Sequence, residues 1–255
     1  MPRLDGSRVL VTGGTSGIGR ACVERLVSDG ARAAFTGRDV ERGDATASAT
    51  GAIFLPADGR DEDAVRASVA AAADALGGLD GLVCAAGVAL DAPLTTTSLE
   101  DWRTVIDVNL TAPYLYSVAC LPLLRAAGGG SIVHVSSDAG VWGDARIGAY
   151  SVSKAALNTL AQMLAIEAGP DGVTVNALCL GGVEHVMAST ADGRDERRSD
   201  PKTWLVPPVG RFQTLEEIAG IVVFLLGPEA RYVNGTAMLV DGGIRAGYRA
   251  WSIQG

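Results

Sequence analysis

The strand-to-helix turn near the N-terminus restricts the fold more than any other stretch. Residues 8–11 (Arg-Val-Leu-Val) form a short apolar run closed by Thr12, and Gly13-Gly14-Thr15-Ser16-Gly17-Ile18-Gly19 follow. From Arg20 the periodicity turns helical, with Cys22, Val23, Leu26 and Val27 on one face, and it stops at Asp29-Gly30. The glycines therefore lie between a buried strand and a helix N-terminus, where free backbone N–H groups and the helix dipole favour a pyrophosphate. Gly13, Gly17 and Gly19 remove Cβ atoms where the chain turns tightly or meets a ligand or a neighbouring strand. A P-loop ends in Gly-Lys-Ser/Thr, whereas Gly19 is followed by Arg20-Ala21. The GxGxxG spacing fails as well, and what stands here is TGxxxGxG from Thr12 to Gly19.

The same alternation continues down the chain. Residues 31–36, 52–56, 79–85, 131–136, 173–180 and 237–240 read as strands, and 101–124, 150–168 and 215–226 as helices. A further helix carries Asp61, Asp63, Val65 and Val69. Strands alternating with helices predict an α/β fold, one doubly wound parallel sheet with helices on both faces. No linker or repeat divides the 255 residues, so a single domain over 1–255 is expected. Residues 183–209 have mixed polarity, three prolines and the charge cluster Arg194-Asp195-Glu196-Arg197-Arg198, which by composition suits a mobile or substrate-shaped insertion. Residues 244–255 form a C-terminal tail.

Charge narrows the partners. A formal net charge of -8 argues against a nucleic-acid groove or an anionic membrane surface, and 5% aromatics leave no base-stacking platform. The N-terminus MPRLDGSRVLVTGG lacks a signal-peptide pattern, and no stretch of ~18 apolar residues suggests a membrane span. Cys22, Cys84, Cys120 and Cys179 are scattered, with no CxxC or Cys/His cluster, so no metal site is expected. They read as small buried hydrophobes in a reducing, cytoplasmic setting.

The chemistry-bearing stretch is 131–154: SIVHVSS, then DAGVWGDARIGA, then YSVSK. Tyr150 and Lys154, four residues apart, share one helix face. A phenol beside an ammonium is an acid/base pair in which the cation lowers a tyrosine pKa that starts near ~10. By itself the pair reads more readily as an exposed pair on a helix surface, and its neighbours decide. After the second strand a carboxylate would take the ribose hydroxyls of a dinucleotide. Gly37 offers none, and Arg38 presents a planar fork suited to a 2′-phosphate or stands as a solvated loop cation. Asp58 either accepts from an adenine amino group or caps the following helix. Asn109, between Val108 and Leu110, needs partners if buried: it holds a water, or it bonds a carbonyl and kinks the helix.

Taken together, TGGTSGIG at 12–19, Asp58, Ala86-Gly87, Asn109, Ser136-Ser137, YSVSK at 150–154, VNAL at 175–178 and VDGG at 240–243 resemble the short-chain dehydrogenase/reductase family of single-domain type. Ser137 precedes Tyr150 by thirteen residues, the usual interval there. The resemblance implies a Rossmann-like oxidoreductase that moves a hydride between a nicotinamide cofactor and a ketone or secondary alcohol. Tyr150 would be the general acid/base, Lys154 its modulator and ribose ligand, Ser137 the donor to the substrate oxygen, and Asn109 the anchor of a proton-relay water. Gly13, Thr15, Ser16, Gly17, Ile18 and Gly19 would contact the phosphates and adenosine ribose. Arg38, Asp58, Ala86, Gly87, Gly181, Val183 and His185 would complete the cofactor site. Arg38 resembles the NADP-preferring branch, although Ser16 stands where a second basic residue is often found, so NADP is expected with NAD behind it.

The departures are specific. Cys84-Ala85-Ala86-Gly87 stands where the family often has Asn-Asn-Ala-Gly, and Leu180-Gly181 where it has Pro-Gly. His185 takes the place of a Thr that touches the carboxamide; it bonds that group, lines the substrate pocket or sits on the surface. His134 occupies a slot often held by Asn and reads as structural. Val141, Trp142, Val183, Met187 and Trp204 suggest a partly hydrophobic pocket. Helices 101–124 and 150–168 resemble those that form dimer contacts in the family, so a homodimer or homotetramer is expected.

Overall fold

A computed structural model describes residues 4–144, 146–184 and 207–246. Its centre is one sheet of seven strands in the order β3-β2-β1-β4-β5-β6-β7. In chain order these are β1 (Arg8–Thr12), β2 (Arg32–Gly37), β3 (Ile53–Pro56), β4 (Gly81–Cys84), β5 (Gly130–Ser137), β6 (Val173–Leu180) and β7 (Ala237–Val240). Every pairing is parallel. The helices are α1 (Gly17–Ser28), α2 (Val40–Thr50), α3 (Glu62–Leu76), α4 (Leu99–Ile106), α5 (Ala112–Ala126), α6 (Gly148–Ala168) and α7 (Leu215–Leu226).

Strand alternation sends the two sheet faces to different helices. Val9, Val11, Val133, Val135, Leu178 and Leu180 pack with Cys22, Val23 and Leu26 of α1 and Ile218, Val222 and Leu225 of α7. Leu10, Leu82, Ile132, Val175 and Ala177 face Val65, Val69 and Leu76 of α3, Cys120 and Leu124 of α5, and Ala161 and Leu164 of α6. Both faces are covered, which is why the central strands read as unbroken apolar runs rather than alternating ones. Each fully buried leucine contributes about 1.5–3 kcal/mol. The four cysteines are buried free thiols, as the sequence suggests.

Two predicted elements differ in extent. The fourth strand is shorter than 79–85 because its ends have other partners. Asp80 takes the backbone N–H of Arg8 at 2.9 Å and its guanidinium at 2.6 Å. At the other end Ala85 N–H turns to the Thr12 hydroxyl at 3.2 Å. The single helix expected over 101–124 is two helices joined by a π-helical turn, Asp107–Thr111. One extra residue in that turn rotates Asn109 into the interior, where its side chain finds partners on another segment. No helix among the described residues is long and apolar enough to cross a membrane.

Candidate active site

The order of the sheet reverses between β1 and β4, and the loops after these two strands open a crevice at their C-terminal ends. The Thr12 hydroxyl ties the loops together, accepting from Ala85 N–H at 3.2 Å and Ala86 N–H at 3.3 Å. Thr12 is a positioning residue that the sequence reading left out of the site, although a hydroxyl closing a buried strand was the available signal. Gly13 has φ +72°, and a Cβ there would stand 2.8 Å from the Ala86 backbone. A Cβ on Gly19 would run into the Gly13 carbonyl. The loop is thus as close to its neighbours as backbone allows.

Helix α1 starts here with Ser16 as N-cap, but the Ser16 side chain makes no capping hydrogen bond and the first turn holds no acidic residue. Its leading N–H groups are left with the helix dipole undiminished, an environment that fits a phosphate. Gly14 N–H donates to Thr36 O at 3.0 Å, fixing the loop to β2. Gly37 has a second role beside its missing carboxylate: a Cβ there would collide with the Thr15 methyl. Arg38 is exposed and has no ion pair among the described residues, while the next residue, Asp39, caps α2 through Arg42 N–H at 3.0 Å.

Asp58 lies beyond β3, beside Arg60, which donates to it at 2.6 Å and holds its carboxyl below the usual range. It does not cap α3. Asp61 does, accepting from Asp63 N–H at 2.9 Å and Ala64 N–H at 3.2 Å. Of the two sequence alternatives for Asp58, capping is excluded because Asp61 is the residue one position before the helix.

The second half of the site comes from β5 and α6. Ser137 is the last residue of β5, and Tyr150 and Lys154 sit in the first two turns of α6. All three are buried, at 8%, 8% and 4% exposure. The Ser137 hydroxyl neighbours the phenol closely enough to favour its ionised form. It also donates to Asp138 Oδ1 and accepts from Ala139 N–H, each at 3.1 Å. Lys154 Nζ donates to Val135 O at 2.8 Å and lies 5.5 Å from the centre of the Tyr150 ring. The structure brings these three residues together, and their proton affinities follow burial. The phenol is pushed up to about 12, chiefly by loss of solvent, with the neighbouring Ser137 hydroxyl opposing. Burial likewise lowers Lys154 to about 8. The expected depression of Tyr150 by its lysine is therefore outweighed, because desolvation disfavours phenolate and ammonium alike.

Asn109 is fully buried, and its side chain is bonded to both backbone and side-chain partners. Its Oδ1 accepts from Val88 N–H at 2.8 Å, and its Nδ2 donates to Val88 O at 2.9 Å and to Ser153 Oγ at 3.1 Å. This clips the loop after β4 onto α6. Gly87, just before Val88, leaves space beside the pair: a Cβ there would come within 3.4 Å of Asn109 Oδ1 and 3.6 Å of Lys154 Nζ. Gly87 thus lies against both Asn109 and Lys154, and the Thr12 hydroxyl ties this loop to the glycine turn before α1.

At the end of β6, Gly181 packs on β7, where a Cβ would stand 2.8 Å from Asp241 Cα. Gln213 Nε2 donates to Gly181 O at 3.1 Å and to Val240 O at 3.3 Å, doing with hydrogen bonds what a proline would do for this turn. Sequence reading missed Gln213, whose signal was a lone amide just before α7. Val183 pairs with Gln213 in an isolated bridge. His185, Met187 and Trp204 lie outside the described residues. His134 is structural as expected: fully buried, bonded through Nε2 to Ser117 Oγ at 2.9 Å, and lowered to about 3 by burial.

An open parallel sheet with a glycine turn at its reversal point and a buried hydroxyl, phenol and ammonium beside it defines a dinucleotide-binding α/β oxidoreductase. Comparison with known proteins agrees. A family profile described as Enoyl-(Acyl carrier protein) reductase matches residues 13–245. The chain is 37% identical over 250 residues to 2,5-dichloro-2,5-cyclohexadiene-1,4-diol dehydrogenase of Sphingobium indicum, covering 96% of this chain and 100% of that one. It is 34% identical to sorbitol dehydrogenase of Cereibacter sphaeroides, covering 94% and 98%. A short chain dehydrogenase from Burkholderia cenocepacia J2315, solved in complex with NADP, superposes with a TM-score of 0.83 at 36% identity, covering 94% and 98%. The protein belongs to the short-chain dehydrogenase/reductase family and is an oxidoreductase acting on CH–OH groups.

Proposed function

We propose that residues 1–255 act as one catalytic unit that transfers a hydride between NADP(H) and a ketone or secondary alcohol, with Tyr150 exchanging the proton on the substrate oxygen. The observation that carries this reading is the convergence of Ser137, Tyr150 and Lys154 at one end of the glycine-lined crevice. When bound, the nicotinamide supplies and accepts the hydride. In reduction, Tyr150 in its phenol form donates its proton to the developing alkoxide. In oxidation, the same oxygen takes the proton back. Ser137 holds the substrate oxygen beside the phenol, and Lys154, fixed by Val135 O, presents its charge to Tyr150 and to the ribose. Asn109 spends both amide functions on Val88 and Ser153, and its part is to hold the Gly87 loop at the distance the cofactor requires. Mixing the protein with NADPH and a panel of ketones, and following the reduced-nicotinamide absorbance, tests the reading directly; no oxidation with any ketone, and no reduction of NADP⁺ or NAD⁺ with the matching alcohols, overturns it.

NADP is the proposed cofactor, with NAD as the alternative. The exposed Arg38 at the end of β2, which forms no salt bridge among the described residues, is available to a 2′-phosphate, and Gly37 supplies no carboxylate to repel it. Arg38→Ala is expected to raise the KM for NADPH about tenfold while moving that for NADH less than twofold, since a charge-assisted bond to phosphate is lost only in the first case. Equal changes for the two cofactors would make NAD the better assignment.

A homo-oligomer completes the proposal. Tyr114 and Val118 on α5 and Val152, Met163 and Ile166 on α6 are large apolar side chains, 40% to 70% exposed, spaced to form one stripe on each helix. Burying both stripes against a second copy removes them from water, and light scattering should give at least a dimer mass. Ile166→Glu is expected to shift that mass toward the monomer.

A further inference from the structure

We infer that Asp138 is a specificity residue, and that the alcohol this site prefers carries a second hydroxyl on the carbon next to the one oxidised. The inference rests on the oxidoreductase reading and names its substrate class. Asp138 opens the short helical turn after β5, Asp138–Gly140, so its carboxylate adjoins the residue that holds the reacting oxygen. Asp138 Oδ1 is 3.1 Å from Ser137 Oγ, and the Ser137 hydroxyl neighbours the Tyr150 phenol. An oxygen bound between Ser137 and Tyr150 therefore lies one further hydrogen-bond step from this carboxylate. Hydroxyls on adjacent carbons are separated by about one hydrogen-bond length, so the second one falls within its reach.

The chemistry of Asp138 favours such a donor. It is half-buried and has no salt bridge among the described residues. It accepts from the Ser137 hydroxyl at 3.1 Å, with Ala139 N–H and the Trp142 side chain near it, while a carboxylate offers about four acceptor positions. Burial, with the Asp241 charge adding to it, pushes the Asp138 carboxyl up, the condition of an acceptor short of donors. Its surroundings on the other side are Trp142, with the Arg245 guanidinium 5.1 Å from the ring, and Asp241, whose oxygens are engaged by Gly243 N–H and Arg245 N–H at 2.9 Å each. A substrate hydroxyl supplies the missing donor. A carbonyl or an ether at the same place would set oxygen against oxygen.

The test compares kcat/KM for cis-1,2-cyclohexanediol and cyclohexanol, with NADP⁺ and with NAD⁺, in the full-length protein. The native protein should favour the diol by about tenfold, the worth of a hydrogen bond to a charged group and well beyond the twofold statistical factor. In Asp138→Asn and Asp138→Ser, which remove the charge but keep a side chain able to accept from the turn, the ratio should fall to about two. A role limited to holding the turn would depress both substrates together and leave the ratio unchanged, which overturns the inference. So does a native ratio near two, whether or not the variants fold. If neither alcohol is oxidised while other alcohols are, the class assigned here is wrong; if none of any class is turned over, the oxidoreductase reading falls and this inference with it.

Discussion

Tyr150→Phe is expected to lower kcat in both directions by about a thousandfold, the scale of a lost general acid/base. The substitution deletes one oxygen from a buried ring, so the fold should lose no more than about 1 kcal/mol. Cofactor titration and thermal unfolding would therefore stay near native values while turnover disappears. The pH profile of the native protein carries the same assignment. Burial holds the phenol at about 12, so the proton needed for reduction is in place throughout the neutral range. Reduction should be level there and fall only in alkali, whereas oxidation, which needs the phenolate, should rise with pH. A Phe variant that keeps a tenth of native turnover would remove Tyr150 from the proton path.

Lys154→Met is the second large effect, and it should act oppositely on activity and stability. Turnover is expected to fall at least about a hundredfold, because among the described residues no other ammonium stands beside the phenol to stabilise its charged form. Stability should rise. A drop from 10.5 to about 8 means that the folded protein disfavours the ammonium by roughly 3 kcal/mol relative to the unfolded chain. Methionine has a similar stem and carries no charge. Val135 O loses its donor, at about 1 kcal/mol, which leaves a net gain of about 1–2 kcal/mol, or a few degrees in Tm. The sign can be read against pH. Between pH 8 and 10.5 the unfolded chain binds the extra proton, so native stability climbs across that window and the advantage of the variant shrinks. Differential scanning at pH 7 and pH 10 measures both limbs; a variant that melts below the native protein at pH 7 contradicts the account.

Stability sacrificed at a buried ammonium is consistent with a site arranged for chemistry rather than for packing. The same applies to Asp138, a half-buried carboxylate beside Asp241 that a more stable protein would not need. Asn109 shows the reverse case. It is a buried polar group whose bonds to Val88 and Ser153 all serve to hold one loop against one helix.

Much of the architecture was legible residue by residue. The glycine turn after β1, the run of β-branched strands and the helical stripes of α1 and α7 are patterns within a few consecutive residues, and the structure reproduces them. The fourth strand was read too long because its limits are set by Arg8 and Thr12, more than seventy residues away. The helix over 101–124 was read as continuous because a π-helical turn leaves apolar residues on both sides of Asn109 and breaks no local rule. Thr12 and Gln213 escaped notice for a related reason: each acts by holding backbone that belongs to another segment.

From the chain alone one can read the parallel α/β sheet, the phosphate-suited turn and the grouping of Ser137, Tyr150 and Lys154, since periodicity, glycine placement and residue spacing are properties of neighbouring positions. Only the tertiary structure decides that the phenol is hard to ionise, that Lys154 rests on Val135 O, and that the Ser137 hydroxyl points to Asp138. Those outcomes depend on how much water remains around each group and on which distant backbone it meets, and both are determined when β4, β5 and α6 close around the same crevice.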